Sequence, residues 1–307
     1  MDIKEMQEAP GDLSPEFQEM LNVTTRQYKD GATGETSYHG QMSILYSILK
    51  DGEKCRSHVA LVPENADAVD KANAYISLGR ILVYEKKLDE AITSYEKCLE
   101  ADPEHEMALD EISWCCYHQK RYEEAEKWFR CAIALEDVDF ESTWEGMGLT
   151  LAAMERYTEA IQCFHKALEL DEDKRNVAYY EYLIGLSYSR ENDFYRALAH
   201  YFKCLDADPE YAQALNNIGA MYYEHESDIK KAIEYFQKTE EAAEKNEDSQ
   251  TLQLVYLNLI KLYNLLSEYD LSELYNVKLL SILGFPVSLS DEEEEDDDDG
   301  CEEDEVE

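Results

Sequence analysis

Residues 72–103 read ANAYISLGRILVYEKKLDEAITSYEKCLEADP, and this stretch decides the fold. Its slots Tyr75, Leu78, Gly79, Leu82, Ala91, Tyr95, Cys98 and Pro103 recur down the chain. A small residue returns at Gly79, Ser113, Gly148, Gly185 and Gly219, and an alanine at Ala91, Ala125, Ala160, Ala197 and Ala232. The alanines lie 34, 35, 37 and 35 residues apart. Within a copy the small residue precedes the alanine by 12 positions, and by 13 in the last, which puts an extra residue in the turn near Ser227 and Asp228. A period of this length marks a stack of repeated units. Ala91, Ile92, Tyr95, Cys98 and Leu99 form a one-sided apolar stripe at helical spacing. Small residues at Gly79 and Ala91 let two antiparallel helices approach closely, and Tyr95, Phe129, Phe164, Tyr201 and Phe236 fill the space between one pair and the next. No pair buries its apolar face alone, so stability must come from stacking neighbours. Asp102-Pro103 and Asp208-Pro209 put a capping carboxylate ahead of a proline, where the following helix is expected to start.

These residues resemble the tetratricopeptide repeat, which carries an aromatic, Leu-Gly, Tyr, Ala, Phe or Tyr, Ala and Pro at fixed offsets within about 34 residues. The third copy fills the slots with Trp144, Met147, Gly148, Leu151, Ala160, Phe164 and Ala167 but has Glu172 in place of the proline. The second has Ser113 for glycine and Asp137 for proline. The fourth matches through Ile184, Gly185, Tyr188, Ala197, Tyr201, Cys204 and Pro209, with its aromatic one place late at Tyr182. The fifth gives Leu215, Ile218, Gly219, Tyr222, Ala232 and Phe236 before drifting. The resemblance implies an all-α fold, a right-handed α-solenoid of stacked antiparallel helix pairs. About five clear repeats occupy residues 71–250, a degenerate sixth or capping pair 251–285, a helical cap or extension 1–70 and a disordered acidic tail 286–307. Within the extension, Ser14-Pro15 should open a helix to about Tyr28, Lys29 to Glu35 should be a loop, and Ser37 to Leu49 reads as a second helix.

Composition narrows the function. Among 307 residues, 28 Lys plus Arg face 69 Asp plus Glu, and the formal charge of −41 repels nucleic-acid backbones and anionic lipid surfaces. Only 12 Gly and 6 Pro punctuate the chain, too few for a strand-rich fold. No apolar run long enough to span a bilayer occurs, and the first residues lack the basic-then-apolar pattern of a secretory signal. The cysteines sit mostly inside apolar helical patterns, as expected of free thiols in a reducing cytoplasm.

No phosphate-binding loop, HExxH or CxxC motif is present, and Gly146-Met147-Gly148 reads as a helix-packing position. Cys115, Cys116 and His118 could offer two ligands on one helical face, half of a soft-metal site, and the simpler reading puts the cysteines in the core. No enzyme activity and no cofactor are expected. The resemblance instead implies a partner-binding groove lined by the first helix of each repeat, at its second, fifth, ninth, twelfth and thirteenth positions. Among them are Ile76, Arg80, Tyr84, Asp110, Trp114, Tyr117, Leu149, Tyr179, Tyr182, Leu186, Asn216 and Tyr223. Family members that grip a terminal carboxylate use lysine, arginine and asparagine. Here Ile76, Asp110 and Gly146 stand at the corresponding places, so that clamp is absent, and the aromatics are of the type that anchors peptide partners.

Residues 291–307, DEEEEDDDDGCEEDEVE, carry 14 carboxylates and no basic side chain, a composition that disfavours folding. The leading expectation is a non-enzymatic scaffold that binds an extended or helical segment of another protein in an aromatic-lined groove. The alternative is an acidic chaperone that captures basic clients through this tail. Neither reading involves nucleic acid or membrane insertion, and homo-oligomerisation stays open.

Overall fold

A computed structural model describes residues 14–135 and 140–285; the acidic stretch 291–307 and the proline slot at Asp137 lie outside them. The described residues are helical throughout, and they fall into two units, within 1–207 and 208–307.

The first unit holds α1 (Pro15–Lys29), α2 (Glu35–Ile48), α3 (Gly52–Val59), α4 (Ala68–Tyr84), α5 (Leu88–Ala101), α6 (Glu106–His118), α7 (Tyr122–Ile133), α8 (Glu141–Ala153), α9 (Tyr157–Leu170), α10 (Val177–Arg190) and α11 (Phe194–Ala207). Ser14 caps α1 through its side chain and Pro15 occupies the first helical position, so the sequence signal and the helix start coincide. From α4 onward consecutive helices pair as hairpins: α4 with α5, α6 with α7, α8 with α9, α10 with α11. Each hairpin bends at a residue in the left-handed region, Lys86, Lys120, Glu155 and Asn192, with φ of 61 to 62°. The next backbone N–H reaches back across the helix end, as from Lys87 to the Leu82 carbonyl at 2.8 Å and from Arg121 to that of Cys116 at 2.9 Å. This bond closes the first helix of each pair and turns the chain onto the second.

The same turn appears where the sequence carries no repeat signature. Lys50 has φ of 56°, and the Asp51 N–H bonds the Tyr46 carbonyl at 3.0 Å. Cys55, fully buried, stands five residues after Lys50, as Ala91 stands five after Lys86. Ser43, also fully buried, precedes Cys55 by the 12 residues that separate Gly79 from Ala91. The pair α2/α3 is therefore built as one more hairpin of the stack, and Ser43 Oγ meets Ser77 Oγ at 3.1 Å where α2 packs on α4.

The apolar core runs through the hairpins of this unit. Ala91, Ala125, Ala160 and Ala197 are fully buried, and so are the aromatics Tyr95, Phe129 and Tyr201, with Phe164 at 1%. In the Gly146-Met147-Gly148 run, a Cβ on Gly146 would lie 2.3 Å from the Phe129 ring, and one on Gly148 would lie 2.5 Å from that of Phe164. Both glycines are consumed by helix packing.

The second unit contains α12 (Ala212–Met221), α13 (Ile229–Lys245), α14 (Ser249–Leu265) and α15 (Tyr269–Ile282). The extra residue counted near Ser227 is absorbed in a π-helical turn, Tyr222–Glu226, which ends at Ser227 with φ of 53°. One added residue is what a π turn accommodates. Glu240 is buried and accepts from the Tyr275 hydroxyl at 3.0 Å and the Lys278 ammonium at 2.5 Å, tying α13 to α15.

The Asp-Pro dipeptides behave differently from the sequence expectation. Asp102 terminates α5, its N–H bonding the Cys98 carbonyl, and α6 begins three residues after Pro103 with His105 as its cap. Asp208 accepts from the Glu210 N–H at 3.0 Å in a turn, and α12 begins at Ala212. The proline ends one helix and shapes the connection, because its ring excludes a helical conformation from the residue before it.

Candidate functional site

In the first unit α4 packs on α6 and α6 on α8, whereas the second helices α5, α7 and α9 pack on one another to no comparable extent. The groove positions expected from the repeat lie on the first-helix face, that of α4, α6, α8 and α10. Helical periodicity fixes what that face presents. Side chains four apart stand above one another, so the fifth and ninth positions of each first helix form two parallel rows. The fifth-position row reads Ile76, Asp110, Glu145, Tyr182 and the ninth-position row Arg80, Trp114, Leu149, Leu186.

Side chains in these rows differ in what they offer. Ile76 is 1% exposed and belongs to the core, because α4 is flanked by α2 on one side and α6 on the other; it presents no surface to a partner. Arg80 is held by Glu111 at 3.4 Å and by the Met107 sulfur at 3.2 Å. Tyr84, 59% exposed, lies under the Lys50 ammonium, 5.0 Å from its ring centre. Trp114, Tyr117, Leu149, Tyr179, Tyr182 and Leu186 are all half-buried. Trp114, Tyr117, Tyr182 and Tyr223 are not fully exposed, and each lies partly against its neighbours. Trp114 meets Phe129 and Tyr117 edge-on, both at 5.7 Å, and Tyr182 stands 6.0 Å from Tyr201.

The polar centre of the face is acidic. Asp110 accepts from the Thr143 hydroxyl at 3.0 Å. Burial pushes its carboxyl up to about 6; the Thr143 hydrogen bond opposes that rise, and the charges of Glu111 and Glu145 add to it. Glu145 accepts from Tyr179 at 3.0 Å and from Tyr180 at 3.3 Å, and burial again raises its pKa against those two hydroxyls. The Tyr180 hydroxyl also donates to Glu141 at 2.6 Å, which takes a further bond from the Asn176 amide at 2.7 Å. Thr143 and Tyr180 fall outside the groove slots of the repeat, and Tyr180 is fully buried, so periodicity alone could not nominate them.

In the second unit Asn216 accepts from the Asn258 amide at 3.3 Å, and Tyr223 lies under the Lys261 ammonium, 4.5 Å from its ring centre.

Cys115 and Cys116 are buried, and burial pushes the Cys115 thiol up to about 12, away from the thiolate a metal needs. His118 is exposed. Among the described residues no group of three or more His, Cys, Asp or Glu side chains converges as a metal site would require. No helix of the described residues is long and apolar enough to cross a membrane.

Stacked hairpins with a small residue and an alanine at their crossing and a buried aromatic packed over the small residue define a helical-repeat protein. Residues 70–135 and 139–210 match one tetratricopeptide repeat profile and residues 182–247 a second. The chain belongs to the tetratricopeptide repeat family. It is similar to the photosystem I assembly protein Ycf3 of Rippkaea orientalis, 34% identical over 76 residues that make up 25% of this chain and 44% of that protein. It is also similar to human tetratricopeptide repeat protein 7B, 31% identical over 99 residues, 32% of this chain and 12% of the relative. The chain thus matches less than half the length of these curated relatives. Among solved structures, MamA from Desulfovibrio magneticus RS-1 covers 58% of the chain and 98% of itself at 21% identity, with a TM-score of 0.53. PilF of Pseudomonas aeruginosa covers 71% of the chain and 94% of itself at 19% identity, with a TM-score of 0.54. At such identities the structures establish the fold alone.

Proposed function

We propose that this protein is a non-enzymatic scaffold that holds a segment of a partner protein along the first-helix face of α4, α6, α8 and α10. The observation that carries the reading is the set of half-buried apolar and aromatic side chains, Trp114, Tyr117, Leu149, Tyr182 and Leu186, on the first helices of successive hairpins. Rigid aromatics on a preformed helical surface anchor a peptide at low entropic cost. The word assembly in the name of the Ycf3 relatives accords with a role in bringing proteins together. The seven described cysteines are free thiols, which supports a cytoplasmic setting.

The test is affinity capture by the intact chain and by a Tyr182→Ala, Leu186→Ala variant, with mass spectrometry of what is retained and circular dichroism to establish folding. A set of proteins held by the native chain and released by the folded variant supports the groove; an unchanged set refutes it. Residues 291–307 could bind basic clients in their own right, a reading favoured by their charge, and their deletion separates the two contributions.

A further inference from the structure

Resting on the groove reading above, we infer that the partner segment presents a lysine or arginine side chain to the middle of this face, between Asp110 and Glu145 and against the rings of Trp114 and Tyr117. Asp110 and Glu145 occupy the same fifth position of successive first helices, and Asp110 feels the charge of Glu145. Both are largely withdrawn from water, and their hydrogen-bond donors are neutral hydroxyls: Thr143 on one, Tyr179 and Tyr180 on the other. Among the described residues neither carboxylate has a cationic partner. Arg80, the cation of the adjacent ninth-position row, is engaged by Glu111.

A desolvated carboxylate held by neutral donors alone is left short of the charge-assisted bonds that would stabilise it. The neighbouring surface suits an organic cation. Trp114 lies one helical turn beyond Asp110 and Tyr117 one turn further, both half-buried and edge-on to each other, with the His118 ring stacked on Trp114 at 5.9 Å; Tyr117 feels the charge of Glu145, so this aromatic cluster borders the carboxylates. An ammonium or guanidinium gains from both, through ion pairing and through the ring quadrupole. An acidic or purely apolar anchor would leave the carboxylates further desolvated and unpaired. A hard metal ion would need a shell of oxygen ligands, whereas indole and phenol rings flank this place.

The experiment uses the intact chain and a fluorescein-labelled dodecapeptide selected on it from a random phage-displayed library. Its affinity is read by anisotropy for the native protein, for an Asp110→Asn, Glu145→Gln pair, for Asp110→Asn alone in case the pair does not fold, and for the Tyr182→Ala, Leu186→Ala pair. Residues 291–307 are present throughout, so whatever they contribute is common to all variants. The expected result is a fixed Lys or Arg in the selected sequences, whose replacement by norleucine weakens binding at least tenfold. Asp110→Asn, Glu145→Gln should weaken the parent peptide by a similar factor and remove most of the effect of norleucine. Loss of binding in Tyr182→Ala, Leu186→Ala, with indifference to the carboxylate variants and to norleucine, overturns this inference and leaves the groove standing. Binding indifferent to both sets of variants, or a library that yields no groove-dependent binder, overturns both.

Discussion

Replacing Tyr95 by phenylalanine should make the protein more stable. Tyr95 is fully buried, its ring packs over Gly79, and its hydroxyl is the one buried side-chain polar atom among the described residues without a hydrogen-bond partner. An unmet buried hydroxyl costs about 1–3 kcal/mol relative to its solvated state. Deleting one oxygen opens a void of roughly 10 Å³, worth about 0.2 kcal/mol at the usual cavity coefficient. The balance favours the variant by about 1 kcal/mol or more, and Phe129, Phe164 and Phe236 show that the slot accepts phenylalanine. The matched control is Tyr180→Phe, whose hydroxyl donates to Glu141 at 2.6 Å and to Glu145 at 3.3 Å. Bonds to charged acceptors are worth about 1.5–3 kcal/mol, so this variant should be destabilised. Urea unfolding followed by far-ultraviolet circular dichroism reads both signs. Hydrogen exchange in α4 and α5 localises the Tyr95 effect, since a repeat stack unfolds through nearest-neighbour couplings. A lower urea midpoint for Tyr95→Phe would mean that the hydroxyl is satisfied after all, and the reasoning would fail.

Gly148→Ala would bring a Cβ to 2.5 Å from the buried Phe164 ring, and the overpacking cost of about 1–3 kcal/mol outweighs the helix-propensity gain of about 1 kcal/mol; a raised melting temperature would contradict this. His39 and His58 face each other through their Nδ1 atoms at 2.8 Å beside Tyr38 and Tyr46, and burial together with the His39 charge holds the His58 pKa below its usual 6.5. A depressed histidine contributes stability that is present above about pH 6.5 and is lost as pH falls through the lower folded value. Melting at pH 7.5 and 5.5 should therefore show an acid-side loss that His58→Gln reduces, and an identical pH dependence in the variant would exclude this pair as its source. Lys278→Met removes the cation from buried Glu240; the loss should be about 2–4 kcal/mol, below the value for a fully buried pair because the ammonium is 38% exposed. A coupled Glu240→Gln exchange should recover part of that loss, and additive effects of the two substitutions in urea unfolding would argue against the pairing.

The five hairpins from α4 to α13 were legible because three independent constraints, a small residue, an alanine and an aromatic, recur in one register. The helix α2 was readable over Ser37 to Leu49, but the kinship of α2/α3 with the repeats was not, because Ser43 and Cys55 replace glycine and alanine. Both are small enough to allow the same helix crossing, yet neither belongs to the pattern by which the repeat is read. The eight-residue α3 carries one buried side chain, Cys55, and so leaves almost no periodic trace. Its presence beside α4 is also why Ile76, at a groove position by count, is core by location: a first repeat with a hairpin ahead of it is no longer an end. The acids of the first-helix face were readable as positions, but their hydroxyl donors were not, since Thr143 and Tyr180 reach them from neighbouring hairpins across 33 and 35 residues of sequence.

Asp110 connects the stability of the stack to the proposed use of the first-helix face. Its folded pKa of about 6 lies above the ordinary 3.8, so the stability it lends is fully present below 3.8 and is lost as pH rises through 6. At neutral pH the ionised group thus costs the fold on the order of 2–3 kcal/mol. A purely structural face would gain by having asparagine there, since the amide could still accept the Thr143 bond without a buried charge. An incoming cation acts in the opposite sense: it lowers the pKa of Asp110 and recovers the lost stability. Strain of this kind is what a binding site stores and a structural layer sheds. By linkage, a partner bearing a lysine or arginine should bind more tightly as pH rises from 5 to 7, while one recognised through apolar contacts alone should not respond to that change.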